Sequence, residues 1–343
     1  MGGQTGPEAA RYDYPVLRHT LKPVLKRGAL IAAANWQVTL VQGSADSLFK
    51  LLLAAPLIGG IFLVALAVGT EPRTLIELEW RDLATTIVSS LLAQPLVLTA
   101  FLLAVAVVAA GGSLFVFLVK AGTVGVLVRS ERDAGPIEEP PLRVDAVVRA
   151  GRFSVDSYIE CAQTLYPRYF RLGLVLMTVY LLSGGSYFAF IAVSQNRGGG
   201  WGMAALATAA FVSWITIVNL LYLLMQIVIA ADDCNVMVAA RRVAAFLRYD
   251  LRHVAAVFTL VLGLVVLATG ASLVAAAALG LVAFVPFFGL AALPLQLGAW
   301  LLRGLVFQYL GLASTGAYLR LYRRFSSTVV EGGFGFEPAH STP

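Results

Sequence analysis

Few residues of this sequence have the type and spacing that catalysis requires. Ser183 and Ser186 flank a Gly-Gly pair in a pattern similar to a nucleophile turn. A serine nucleophile needs a neighbouring base, and the histidines lie elsewhere, at His19, His253 and His340. The HExxH, phosphate-loop and dinucleotide-binding motifs are also missing. We therefore expect no enzymatic activity and no cofactor.

The cysteines and paired carboxylates do not favour a metal centre either. Cys161 and Cys234 are the only cysteines, and neither they nor the histidines show metal-ligand spacing. Both cysteines fall in segments that we expect in the cytoplasm, where disulfides are rare. Glu138 and Glu139 adjoin prolines in a segment expected to be a solvated loop, which does not favour paired-carboxylate catalysis. The sequence thus predicts no metal.

The composition indicates a membrane protein. Of the 343 residues, 59% are hydrophobic and 13% are charged, whereas a typical soluble chain has about 25% charged residues. The mean hydropathy is +0.82. In a soluble protein the net charge of +6 would raise nucleic acid as a partner. Here the basic residues lie between apolar segments, where they orient helices and contact anionic lipid. We therefore expect membrane lipids, and no nucleic acid, as partners.

Apolar segments long enough to cross a bilayer, which takes about 20 residues, recur along the chain. Five clear candidates are 48–69, 91–119, 170–193, 203–231 and 254–280. A sixth lies in 281–319, where Arg303 marks either the inner end of a span at about 283–302 or the outer end of one at about 298–320. The proline-free sequence after Pro294 favours the second placement, with 281–297 as an outer loop or re-entrant piece. The predicted fold is all-α, a polytopic integral membrane protein with six transmembrane helices.

Lysine and arginine are distributed unevenly among the segments that join these helices, and the positive-inside rule relates this distribution to orientation. Basic clusters occur in the N-terminal segment, near 120–171 and 241–252, and at the C-terminal end. The connections near 70–90, 194–202 and 281–297 have few basic residues or none. We therefore expect a multi-pass protein of the cytoplasmic (inner) membrane with both termini in the cytoplasm.

Two of the inner connections have the pattern of amphipathic surface helices. Residues 144–166 and 236–252 each place charged and apolar side chains on opposite helical faces, and 28–42 is a weaker third case. Their arginines are expected to contact anionic lipid headgroups at the inner face. These arginines are Arg149, Arg152, Arg241, Arg248 and Arg252.

Each surface helix precedes an outward span, an outer turn and an inward span, so the sequence predicts three hairpin units. Their bounds are about 28–132, 144–233 and 234–324. The resulting membrane domain, 28–324, follows a basic cytoplasmic N-terminal segment, 1–27, and precedes a glycine-rich cytoplasmic tail, 325–343, that is expected to be disordered.

Polar residues inside the spans are candidates for an intramembrane site. Arg303, Gln226 and Asn219 could line a polar cavity between the hairpins. Alternatively, the two amides bond across helices and Arg303 reaches an interface. Lys120 is expected at the inner boundary. No aspartate or glutamate falls within 48–69 or the other proposed spans, which does not favour an ion-coupled carrier.

Small residues inside the spans favour close helix packing. Gly111-Gly112 and Gly184-Gly185 are interpreted as packing sites, and an unwound substrate-binding segment is the alternative. Four small residues spaced four apart in 268–280 give one helix a face that could pack within the chain or against a second copy.

The last third of the chain has features of a known group. An inward span ends at Ile229–Asp233 (IAADD), a surface helix follows at 234–252, and the last span ends at Ala317–Arg324 (AYLRLYRR). This arrangement resembles uncharacterised bacterial six-helix membrane proteins similar to the membrane domain of some glycerophosphoryl diester phosphodiesterases. The resemblance implies a fold without a biochemical role. The sequence contains no recognisable phosphodiesterase catalytic domain, so we expect no such activity.

These features favour a non-enzymatic, membrane-embedded accessory or scaffold protein that contacts partner proteins, a second copy of itself, or anionic lipids. The alternative is a transporter or permease for a lipid-like or apolar solute. A third hypothesis, an intramembrane enzyme, would require Ser183 or Ser186. A filled bundle would exclude the carrier, whereas a polar cavity lined by Gln226, Asn219 and Arg303 would favour it.

Overall fold

The computed structural model describes residues 21–69, 93–139, 144–151, 153–196, 200–283 and 288–331, together with positions 82 and 89. Nearly all of these residues are helical and none of them forms a strand, which confirms the all-α prediction for the described part. The helices are α1 (Leu21–Ala34), α2 (Trp36–Val68), α3 (Pro95–Asp133), α4 (Val144–Ala150), α5 (Val155–Asn196), α6 (Trp201–Asp232), α7 (Val236–Ala283) and α8 (Phe288–Glu331).

Several of the helices are long and apolar enough to cross a membrane. Within the described ranges there are five such stretches, in α2, α3, α5, α6 and α7. Their bounds are Trp36–Gly60, Pro95–Asp133, Val155–Ser194, Trp201–Asp232 and Val236–Leu281. Large apolar side chains project outward from them, and Leu103, Leu181 and Leu267 are each more than 60% exposed. Such surfaces are stable in hydrocarbon and not in water, so the helices suit a multi-pass membrane protein.

Consecutive long helices of the chain pack against each other in space. α2 packs against α3, α3 against α5, α5 against α6, α6 against α7 and α7 against α8, while α8 also contacts α2. α6 additionally contacts α3 and α8, and α1 lies along α8. The C-terminal part of α6 therefore lies among four other helices and forms the centre of the core.

Side-chain burial divides the bundle into two ends. Core residues include Val24, Val124, Tyr169, Ile227, Phe246 and Tyr318, one from each of α1, α3, α5, α6, α7 and α8. We call this region the packed end; it comprises residues 21–34, 119–133, 155–172, 221–257 and 309–325. The remaining parts of α2, α3 and α5–α8 expose most of their large apolar residues and form the apolar end. The second end is the one suited to lipid contact.

The N-terminal helices differ from the expected arrangement. The predicted surface helix at 28–42 is divided by a break at Asn35, and α2 already begins at Trp36. α1 starts at Leu21 and is buried at Arg27, so part of the segment expected to be a free basic terminus belongs to the core. The amide of Asn35 donates to the carbonyl oxygen of Ala150 at 3.0 Å, which stabilises the break by linking it to α4.

The C-terminal helix is longer than the sixth predicted span. α8 includes Pro294 and ends at Glu331, so residues 288–297, interpreted above as a loop or re-entrant piece, are helical. Pro294 lies in the second turn of α8, where its ring removes a single bond near the helix start. The tail expected from residue 325 is likewise helical as far as Glu331.

The surface helix predicted at 234–252 and the following span form one helix, α7, with a kink at Asp250, whose φ and ψ are −129° and 34°. Its apolar stripe packs on protein, since Val243 and Phe246 are 3% and 0% exposed. Sequence periodicity shows that such a stripe exists but does not show what covers it. The other predicted surface helix, 144–166, is divided between α4 and the start of α5.

Candidate functional site

A polar groove lies beside α2, at the level where the packed end meets the apolar end. A cavity of about 820 Å³ lies between α2 and α8, and one of about 370 Å³ lies between α2, α3 and α8. Asp46 and Gln308 line both cavities, so we treat the two as one site and call it the α2 groove. Its polar side chains include Gln42, Asp46, Lys50, Ser113, Lys120, Arg303 and Gln308.

The α2 groove has more positive than negative charge. Asp46 Oδ2 lies 2.7 Å from Lys50 Nζ, one turn further along α2. Lys120 and Arg303 have no carboxylate within ion-pair distance among the residues that the structure describes. Their charged groups instead lie over aromatic rings, Lys120 at 5.4 Å from the Tyr222 centroid and Arg303 at 5.5 Å from that of Phe307. Three cations and one carboxylate give the groove a net charge of +2.

An unused hydrogen-bond acceptor lies beside these cations. Gln42 lines the smaller cavity, and its Oε1 is buried with no hydrogen-bond partner in the described part of the chain. Buried polar atoms normally have a partner from protein, water or ligand. The α2 groove therefore combines unpaired cations with an unsatisfied polar atom.

The position of the α2 groove along the helices is well defined. Lys120 precedes Glu131 on α3 by about 16 Å and Gln308 precedes Arg320 on α8 by about 18 Å, at about 1.5 Å of rise per residue. Beyond this level the neighbouring side chains are exposed and apolar, with Leu51 at 67%. The groove thus lies at the border between the protein core and the surface suited to lipid.

A buried ionic cluster stabilises the packed end. Arg27 of α1 is 3% exposed, and its Nε lies 2.8 Å from both carboxylate oxygens of Glu131 on α3. Its Nη1 donates to the Gly135 carbonyl and to the Glu138 carboxylate. Arg320 of α8 lies 2.9 Å from Glu138 and 3.9 Å from Glu131. We call these four charged residues the Arg27 cluster; they join α1, α3, the following loop and α8.

The surroundings of the Arg27 cluster favour its charged form. Burial alone would raise the pKa of Glu138, but a backbone hydrogen bond and the guanidinium groups of Arg27 and Arg320 lower that pKa below its ordinary value. Burial likewise opposes the charge of Arg27, yet Glu131 and Glu138 together raise the pKa of Arg27. Glu138, expected in a solvated loop, is therefore an ion-pair partner whose side chain is 10% exposed.

The aspartate pair at the end of α6 joins three other helices. Asp232 forms an ion pair with Arg242 of α7 and accepts a hydrogen bond from the Tyr322 hydroxyl of α8. Asp233 pairs with Arg168 of α5 and ends α6 in a left-handed conformation with φ of 49°. The IAADD sequence thus has a structural role at this junction.

The three residues predicted to share an intramembrane cavity are separated. Arg303 lines the α2 groove. Asn219 Oδ1 accepts a hydrogen bond from Tyr180 of α5 at 2.5 Å, so this amide bonds across helices. Gln226 is 2% exposed in the packed end, where its backbone carbonyl accepts a hydrogen bond from Tyr169 at 2.8 Å. Neither Asn219 nor Gln226 lines the α2 groove.

The arginines predicted to contact lipid headgroups lie on two helices. Arg149 is exposed on α4, and Arg241, Arg248 and Arg252 are exposed on α7. Arg152 lies outside the described residues. Exposed apolar side chains accompany the arginines, including Val144 and Val148 on α4 and Met237 and Tyr249 on α7, each more than 60% exposed.

Asp46 lies in α2, whose apolar stretch runs from Trp36 to Gly60 and therefore begins before the span predicted at 48–69. The sequence interpretation began this span at residue 48, since the polar residues before it lower the local hydropathy. Gln42, Asp46 and Lys50 recur every four residues, so they share one helical face. That spacing was a signal for a polar site.

The glycine pairs have different surroundings. A Cβ at Gly112 would lie 2.1 Å from the ring of Phe49, which supports the packing interpretation there. A Cβ at Gly111, Gly184 or Gly185 would meet no described atom within 4 Å. Beside the second pair, Ser183 Oγ accepts a hydrogen bond from the Trp214 indole at 2.9 Å and therefore has a structural partner.

Comparison of the chain with protein-family models, with curated proteins and with solved structures found no match. The similarity of its last third to the membrane domain of glycerophosphoryl diester phosphodiesterases therefore stays a prediction.

Proposed function

We propose that the chain is a non-enzymatic accessory or scaffold protein of the bacterial inner membrane, with six spans in three hairpins and both termini in the cytoplasm. The spans are α2, α3, α5, α6, α7 and α8, and the hairpins are α2–α3, α5–α6 and α7–α8. Contacts within each of these pairs support the arrangement. The packed end lies on the cytoplasmic side, because Arg27, Arg132, Arg320 and Arg323 gather there.

The observation that supports this function best is the filled interior of the packed end. Tyr169, Leu224, Ile227 and Phe246 are at most 2% exposed, and they pack together in one cluster between α5, α6 and α7. A solute passing between the hairpins would have to separate these side chains. Exposing each large apolar residue costs about 1.5–3 kcal/mol, so a close-packed interior favours a static role.

The outer surfaces of the packed end suit contacts with lipid headgroups or partner proteins. Arg241, Arg248 and Arg252 project from α7 beside exposed Met237 and Tyr249. A surface that combines arginine with apolar side chains can bind an anionic membrane surface or the acidic surface of a partner protein.

The alternative function is transport of a lipid-like solute, and the α2 groove favours it. The larger cavity lies on the flank of the bundle and has leucine and tryptophan in its lining, as a site for an amphiphile requires. A carrier must also expose such a site alternately to the two sides of the membrane. Binding alone is sufficient for an accessory protein.

Lipid movement across the bilayer distinguishes the two functions. The full chain is reconstituted into liposomes containing a fluorescent phospholipid, and an impermeant reductant then bleaches the outer leaflet. We expect about half of the fluorescence to be protected, as in protein-free liposomes. Loss of most of the fluorescence would contradict the accessory function and support the carrier.

Cysteine labelling tests the orientation. In a chain with Cys161 and Cys234 replaced by serine, Arg248→Cys lies on the packed end, and Trp201→Cys, at a position 92% exposed, lies on the apolar end. An impermeant maleimide should reach residue 248 in inside-out vesicles and residue 201 in right-side-out vesicles. The reverse result would overturn the proposed topology.

A further inference from the structure

We infer that the α2 groove binds the anionic headgroup of a membrane phospholipid, whose acyl chains lie along the apolar end of α2 and α8. The inference depends on the membrane location in the proposed function and adds the lipid class and its binding site.

The charge of the groove selects an anion. Lys50 already has a partner in Asp46, whereas Lys120 and Arg303 form no ion pair within the described ranges and lie over aromatic rings. A lysine or arginine in apolar surroundings is stable when it has a counterion or reaches water. A phosphate group between α2, α3 and α8 would supply the counterion, and the lipid headgroup could donate a hydrogen bond to Gln42 Oε1.

The apolar surroundings of the groove select a lipid over a free anion. Leu51, Trp300 and Leu301 line the larger cavity and are 67%, 49% and 49% exposed. Free phosphate would leave these side chains uncovered, whereas acyl chains would cover them. On α8, Trp300 precedes Gln308 by about 12 Å at about 1.5 Å of rise per residue, so a ligand with its phosphate near Lys120 and Gln308 has its chains beside Trp300.

The same geometry favours an anionic lipid over a zwitterionic one. A choline or ethanolamine headgroup brings a cation that needs a carboxylate or an aromatic cage. The only carboxylate among the residues given above for the groove is that of Asp46, which Lys50 already neutralises. Phosphatidylglycerol has one negative charge and no cation, so the positive groove attracts it without introducing a cation that lacks a partner.

Native mass spectrometry of the full chain in mild detergent tests the inference. The chain is titrated with phosphatidylglycerol and with phosphatidylcholine. A basic residue near an anionic headgroup contributes about 1 kcal/mol. We therefore expect at least about tenfold tighter binding of the first bound phosphatidylglycerol, because two unpaired cations act together. Equal affinity for the two lipids would overturn the inference.

Variants locate the site. The double variant Lys120→Gln and Arg303→Gln should lose about tenfold in phosphatidylglycerol affinity, and Lys120→Arg should keep the affinity because the charge is retained. Arg171→Gln, at an exposed arginine on α5, is the matched control and should change affinity less than about twofold. Equal losses in the control and the double variant would mean nonspecific attraction to the protein surface. Thermal unfolding of each variant establishes that it is folded.

Two further results separate the possible failures. Inorganic phosphate added at millimolar concentration should not displace the lipid; displacement would assign the groove to a free anion. If the cysteine labelling gives the proposed topology but the lipids bind equally, only the lipid site is wrong. If the labelling gives the reverse topology, the proposed function fails whatever the lipid affinities are.

Discussion

Replacing Arg27 with methionine is expected to destabilise the packed end strongly, because this guanidinium pairs with two carboxylates on other segments, and one of them, Glu131, is almost fully buried. Glu131 receives Arg27 Nε at 2.8 Å on both oxygens, and Glu138 receives Arg27 Nη1. Methionine has a similar length and is apolar, so the variant removes the charge with little change in volume. Any loss of stability then reports on the carboxylates that remain.

The magnitude follows from the burial of those carboxylates. The Glu131 side chain is 1% exposed, and without Arg27 its nearest cation is Arg320 at 3.9 Å. Removing one partner of a buried pair costs about 3–5 kcal/mol. Arg320 stays 2.9 Å from Glu138 and keeps that carboxylate paired, so we expect a loss of about 3 kcal/mol, the lower part of this range.

A matched control exists on α3. Arg129 pairs with Glu160 at 3.1 Å, but the two side chains are 46% and 66% exposed. Exposed pairs contribute about 0–1 kcal/mol, so Arg129→Met should change the free energy of unfolding by less than about 1 kcal/mol. Both variants replace an arginine that pairs with a glutamate by methionine, and they differ in how deeply that pair is buried.

The assay is reversible unfolding of the purified chain by sodium dodecyl sulfate in mixed micelles, followed by tryptophan fluorescence. The double variant Arg27→Met and Glu131→Met should recover most of the stability lost in Arg27→Met, because replacing a whole buried pair by apolar residues is often neutral. Two results would refute the reasoning. In one, Arg27→Met is no more destabilising than Arg129→Met. In the other, the double variant is as unstable as the single one.

Three further predictions use the same assay. A Cβ at Gly28 would lie 2.3 Å from a carbonyl oxygen of α8, so Gly28→Ala should lower the free energy of unfolding by about 1–3 kcal/mol. The control is Gly263→Ala, which should be neutral or stabilising because a Cβ there would meet no described atom within 4 Å. Equal effects of the two variants would argue against the α1–α8 contact. The folded-state pKa of Glu138 is lowered, so the stabilisation by this carboxylate is present above the ordinary pKa of 4.5 and is lost as the pH falls below it. The difference in free energy of unfolding between the native chain and Glu138→Gln should therefore shrink at low pH. A constant difference would contradict this prediction. Tyr322→Phe removes a hydrogen bond to a carboxylate, and Tyr309→Phe removes one to a backbone carbonyl. Hydrogen bonds to charged groups contribute about 1.5–3 kcal/mol and those between neutral groups about 0.5–1.5 kcal/mol, so Tyr322→Phe should be the more destabilising variant. The opposite order would be inconsistent with the Asp232 contact.

Hydropathy is sufficient to predict the helices that contain long apolar runs. Most of the proposed spans at 91–119, 170–193, 203–231 and 254–280 lies in α3, α5, α6 and α7, because runs of about 20 apolar residues have few alternatives to a helix in a nonpolar solvent. Helix ends are less predictable. α8 extends through Pro294 and past residue 325 to Glu331, although the proline and the change in composition near those positions suggest helix ends.

The ionic contacts were not predictable from the sequence. Arg27 and Glu131 are 104 positions apart, and in a linear sequence each resembles an ordinary charged residue beside a membrane span. The packing of α1 against α3 brings them together. The Asp232-Asp233 pair belongs to the sequence that carries the family resemblance, but its partners on three helices depend on the fold in the same way.

The basic residues near the ends of the spans therefore include two physically different groups. Arg27 and Arg320 contact carboxylates within the protein, so their charges are neutralised and they stabilise the packed end. Lys120 and Arg303 lie closer to the apolar end and contact aromatic rings, so their charges remain available to a ligand. Counting lysine and arginine cannot separate these groups, because the difference lies in what surrounds each side chain. The distinction also gives the two groups opposite signatures. Variants of the first should change stability without changing lipid selectivity, and variants of the second should change lipid selectivity with little effect on stability.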